Sequence, residues 1–138
     1  RDLHSFPTRR SSDLFVISLE RKNLDKAEEM SYKTVQAEPA NSTYLDTYAW
    51  ILFEKGKYAE AKIYIEQAMQ NGGDKNSVEV EHCGDIYWMN GEKEKALEYW
   101  KKAKELAEQK PIEGESARDK SEMDVLKKKI TYKKYFVK

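Results

Sequence analysis

The most reactive residues in this chain stand side by side: His82 and Cys83, flanked by Glu81 and Asp85. A thiol beside an imidazole suggests a nucleophile with its base, and imidazole, thiolate and carboxylate are all metal ligands. The spacing speaks against both. Neighbours on a helix point about 100° apart, so adjacency does not aim His82 at Cys83. A metal needs more His, Cys or clustered carboxylate than stands here, and the one other histidine is the remote His4. Glu81, His82 and Asp85 form at best a weak chelating set, which a solvated helix face explains as well. There is no Gly-rich phosphate loop and no nucleophile motif. These residues therefore predict no enzyme, no catalytic or metal site, no cofactor and no small-molecule substrate. Cys83 itself falls on an apolar stripe and reads as a buried structural thiol.

The elements that carry these residues are written twice. Gly56, Ala61 and Ala68 recur as Gly91, Ala96 and Ala103, each 35 residues on, and Ala27 stands 34 residues before Ala61. Fixed self-similarity at this period marks a helical repeat array. Composition agrees: 36% charged and 39% apolar residues over 138, with three Pro and six Gly, suit amphipathic helices with solvated outer faces. The formal charge of zero supplies no global attraction for nucleic acid or membrane, and the single Cys excludes an internal disulfide. No apolar run approaches the roughly 20 residues of a membrane span.

Taken in order, residues 1–14 share neither the period nor the composition of the rest. Residues 4–14 resemble a translated sequencing adaptor, so 1–14 are expected to be a non-native segment, with the true N-terminus lost. Phe15, Ile17 and Leu19 read as the remnant of a helix ending at Lys22 and Asn23. Asp25 then caps a second helix to about Gln36, with Ala27, Met30 and Val35 inward and Pro39 beyond its end. Asn41 and Ser42 restart the chain for a helix to about Lys55 carrying Leu45, Tyr48, Ala49 and Leu52. Gly56 turns it into a helix over 58–70 with Ala61, Ile65, Ala68 and Met69 on one face. After Gly72 and Gly73, Ser77 opens the next pair. Val80, Cys83, Gly84 and Tyr87 line its first helix, and Ala96, Trp100, Ala103 and Leu106 its second. A loop is expected over 107–117, a capping helix over 118–131 with Met123, Leu126 and Ile130 inward, and a basic tail over 132–138.

Gly84 and Tyr87 in one helix, then Ala96, Trp100 and Ala103 in the next, resemble the tetratricopeptide repeat family. Ala49, Ala61, Ala68 and the preceding Pro39 match it in the earlier copy. Leu52 and Ile65 depart from its usual aromatics, Gly73 from its closing Pro, and one residue is inserted between copies. The resemblance implies an all-α, right-handed α-solenoid of antiparallel helix pairs with a C-terminal capping helix. It covers a half repeat over 15–40 and repeats over 42–73 and 77–107. The wording of 46–52 and 81–85 is similar to the final repeats of longer bacterial envelope-associated members, which implies an envelope or periplasmic setting, with the cytoplasm as the alternative.

In that family the first helices of successive repeats line a concave groove. Carried onto this sequence, the resemblance makes Thr43, Asp46, Trp50, Phe53, Glu54, Glu81, Asp85, Trp88 and Met89 the candidate peptide-binding residues. Aromatics among carboxylates suit a protein or peptide partner with apolar and basic side chains, although Trp50 and Trp88 could equally pack against neighbouring helices. The groove lacks Lys, against the family's clamp on a partner's C-terminal carboxylate. The expected function is a non-catalytic protein-binding scaffold; the alternative is the structural C-terminal cap of a longer superhelix whose binding surface lies upstream. From Asp119 onward seven Lys face three acidic residues. That tail reads as a solvated end, in preference to a contact with nucleic acid or membrane.

Overall fold

A computed structural model describes residues 11–109 and 118–136, with side chains described from residue 22 onward. Six α-helices follow one another: α1 (Ser11–Ala37), α2 (Ser42–Glu54), α3 (Tyr58–Gln70), α4 (Ser77–Met89), α5 (Lys93–Glu108) and α6 (Lys120–Tyr132). A single 3₁₀ turn, Gly73–Lys75, leads into α4. No strand occurs among the described residues.

The repeat seen in the letters is a repeat of hydrogen bonds. Asn41 caps α2, its side chain accepting from Tyr44 N at 3.0 Å. Asn76, one period later, caps α4 by accepting from Val78 N at 3.0 Å and Glu79 N at 3.1 Å. Each satisfies amides that a helix start leaves without partners. The helix ends repeat too. Gly56 and Gly91 sit at φ 80° and 83°, and beyond them Lys57 N donates to Leu52 O at 2.8 Å and Glu92 N to Tyr87 O at 3.0 Å. This is the closing bond of a left-handed helix cap, a conformation that glycine adopts without steric penalty.

Packing follows from the small residues. Ala61, Ala68, Ala96 and Ala103 are fully buried and let α3 and α5 approach their partners, while Leu45, Leu52, Ile65, Val80 and Trp100 fill the space between. Gly84 is needed for a close approach. A Cβ there would lie 2.5 Å from Trp100 Cδ1 and 3.1 Å from Ala96 O. In the earlier copy Ile65 stands in place of Trp100 and Ala49 in place of Gly84, so the side chain is smaller where the backbone carries a methyl.

Two local expectations change. α1 runs unbroken through Asn23 and Asp25. Asp25 pairs with Lys55, the residue that caps the end of α2, rather than starting a helix, beside Glu28, which lies 3.1 Å from the same ammonium. A tertiary ion pair thus takes over a residue whose local preference is to cap. Met30, expected inward, is 62% exposed, whereas Ser31 and Val35 are buried; the inward stripe of α1 steps by four from Ala27 and passes Met30 by. The expected non-native segment 1–14 lies outside the described residues up to residue 10, while 11–14 open α1. α5 extends to Glu108, and the loop expected after it lies outside the described residues from 110 to 117, as do 137–138 of the tail.

Candidate peptide-binding face

α2 and α4 lie side by side, and their contacts join Asp46, Trp50 and Phe53 of α2 to His82 of α4. Trp50 is the hinge of the arrangement. Its ring stacks on Phe53 at 4.6 Å and on His82 of α4 at 4.0 Å. His82 Nδ1 in turn lies 2.8 Å from Asp46 Oδ1. The imidazole is thereby held between a carboxylate and an indole of the other repeat, so its role is to join α2 to α4. Thr43, Glu54 and Met89 are exposed and Trp50 and Trp88 half-buried. Trp88 tilts against Trp100 at 5.6 Å, with Lys93 Nζ 4.9 Å from its ring.

Three expected groove residues are covered. Phe53, Glu81 and Asp85 are all buried, the two carboxylates to 1% exposure. α6 covers them: Lys129 Nζ lies 2.5 Å from Glu81 Oε2 and 2.8 Å from Asp85 Oδ1. Arg118 Nη2 lies 2.5 Å from the other Glu81 oxygen. Trp100 Nε1 donates to Asp85 Oδ1 at 2.9 Å. Two acids and two bases thus neutralise one another out of water, the condition under which buried charge is tolerated. The expectation of a lysine-free groove is corrected by the same contacts, because the lysine arrives from a helix 44 residues further along. The solvated-tail expectation changes at Tyr135, whose ring reaches Phe53 at 5.7 Å and has Lys129 Nζ at 5.2 Å.

Electrostatics divide the acids of α4. Burial alone would raise Glu81, yet Lys129 and Arg118 hold its carboxyl below the ordinary range. Burial pushes Asp85 up to about 6, with Lys129 opposing and Glu81 reinforcing the rise. Glu79, buried and facing Asp46, is pushed up to about 7, against the pull of His82 and a hydrogen bond from Ser42. The Cys83 thiol is pushed up to about 12, chiefly by burial. It is therefore protonated at neutral pH and inaccessible, which leaves it without nucleophilic character. Among the described residues no three His, Cys, Asp or Glu gather as a metal site requires.

Sequence reasoning placed Glu81 and Asp85 on an open groove and missed what covers them. Met123, Leu126 and Ile130 showed that α6 docks. Of the run Lys127, Lys128 and Lys129, only Lys129 lies three residues from Leu126 on the docked side, and that spacing was the available signal.

No protein-family model matches the chain, and no curated protein matches it. Among solved structures it is similar to the Yersinia enterocolitica type III secretion translocator chaperone SycD, with TM-score 0.70 and 15% identity, over 91% of this chain and 86% of that one. The chain folds as a tetratricopeptide-like helical array. At this identity the likeness shows the fold alone. No described helix is long and apolar enough to cross a membrane.

Proposed function

We infer that this protein is a non-catalytic scaffold that binds a protein or peptide on the α2–α4 face. The observation that carries the reading is Trp50, a half-buried indole stacked on Phe53 and on His82, in a helix that also carries the exposed Thr43 and Glu54. An aromatic fixed in advance loses little freedom on binding, which makes it an effective anchor. The fold likeness supports the same reading, since SycD is a chaperone for translocator proteins. The exposed Glu54, on the same helix as Trp50, favours a partner with basic and apolar side chains.

The test is selection from a displayed peptide library against the full chain, followed by NMR of the three Trp indole N–H signals. Selected peptides should shift Trp50 and Trp88 and spare Trp100, and Trp50→Ala should weaken them at least tenfold. Peptides that shift no indole signal would remove the reading. A second reading, a structural cap on a longer array, is favoured by α6, which buries Leu126 and Lys129 over α4 and α5. It gains if no peptide is selected while loss of α6 unfolds the chain.

A further inference from the structure

The C-terminal segment packs its helix α6 against α5 and sends three side chains onto two acids of α4 and a ring of α2, as a bound ligand would. Lys129 occupies the Glu81 and Asp85 carboxylates, Arg118 the remaining Glu81 oxygen, and Tyr135 the Phe53 ring. These contacts hold a segment that is weak by itself. α6 has thirteen residues and buries only Leu126 and Lys129, so its helicity depends on what it packs against. The turn after it is strained. Lys133, at φ 53°, is the one non-glycine residue of positive φ among the described residues. It closes α6 through Lys134 N donating to Lys129 O at 3.2 Å, the same bond that glycine makes possible at Gly56 and Gly91. A lysine stays in that conformation because docking of the residues beyond it holds it there.

We propose that residues 118–136 are an autoinhibitory internal ligand, displaced by a partner segment that presents a lysine or arginine and an aromatic side chain together. The inference rests on the reading of α2–α4 as a binding face. It adds the chemistry of the partner and the reason the face is closed at rest. Glu81 and Asp85 both carry acidic groups, so a phosphate-bearing or acidic partner is repelled from the place that Lys129 vacates. Release of α6 opens Phe53, Glu81 and Asp85 beside the already accessible Trp50, and the strained Lys133 turn relaxes at the same time.

The experiment titrates a fluorescein-labelled peptide of residues 118–136 into the full chain and reads anisotropy. The tethered copy competes at roughly millimolar effective concentration, so the wild-type chain should bind weakly. Tyr135→Ala in the chain removes one aromatic contact and should tighten peptide binding about tenfold. Lys133→Gly relieves the turn, strengthens the closed form and should weaken binding about fivefold. A peptide carrying Lys129→Glu should not bind. Equal affinity of all three chains, no binding to the Tyr135→Ala chain, or dimerisation of that chain by exchange of α6 would overturn the proposal. The two readings fail separately. Library peptides that need Trp50 but bind all three chains equally sink autoinhibition and leave the binding face; peptides indifferent to Trp50→Ala sink the face itself.

Discussion

Lys129 and Asp85, 44 residues apart in the chain, are joined at 2.8 Å with almost no water access to either. The same Asp85 oxygen accepts the Trp100 indole N–H, so one carboxylate ties α6, α4 and α5 together. Asp85→Ala leaves the indole without its acceptor and leaves Lys129 and Arg118 to share Glu81 as their one buried carboxylate. It should cost about 3–5 kcal/mol in urea unfolding, the range for breaking a buried pair from one side. Asp85→Asn keeps an acceptor for Trp100 and should cost less. A midpoint for Asp85→Ala no lower than that of Glu54→Ala, an exposed control, would show that the pair contributes nothing.

Gly84 and Trp100 are expected to be energetically coupled. Gly84→Ala puts a methyl 2.5 Å from a ring that is fully buried and hydrogen-bonded, and should cost about 1–3 kcal/mol by overpacking. The other repeat carries Ala49 with Ile65. Gly84→Ala combined with Trp100→Ile should therefore be less destabilising than the two losses added, by at least about 0.5 kcal/mol in a double-mutant cycle. Strict additivity would mean that the two copies reached their residues independently.

Glu79 makes the folded chain less stable as pH rises. Its carboxyl is raised from an ordinary 4.5 to about 7 in the folded chain. Between these values the unfolded chain gives up its proton while the folded chain keeps it. Stability from this group is thus full in acid and declines as pH rises through the window. Glu79→Gln removes the titration, so its stability relative to wild type should be higher at pH 8 than at pH 5, by one to a few kcal/mol at about 1.4 per unit. Glu81, held below its ordinary range, acts oppositely and loses its contribution in acid. Parallel pH curves for wild type and Glu79→Gln would refute the assignment.

The two glycine turns should respond alike. No atom lies within 4 Å of a Cβ built on Gly56 or Gly91, so the cost of Ala is conformational alone, about 1 kcal/mol at each site. Equal drops in melting temperature for Gly56→Ala and Gly91→Ala are expected. A marked inequality would show that the turns are not equivalent.

The sequence by itself determined the repeat. Asn41 with Asn76, Gly56 with Gly91 and Ala61 with Ala96 act through caps, turns and close approach, and each works within a few residues of itself. Such signals are legible because their physics is local. The tertiary structure alone decided the state of the candidate site. Glu81 and Asp85 have the spacing of solvated carboxylates, and nothing within a helix turn of them distinguishes an open face from a covered one. Their cover is Lys129, 48 and 44 residues away, chosen over Lys127 and Lys128 by the angle at which α6 docks. Asp25 shows the same division: its side chain favours a cap, and Lys55, which caps the end of the next helix, draws it into an ion pair within an unbroken α1. Charge is legible in a sequence, but its partner is fixed only when distant helices are brought into register.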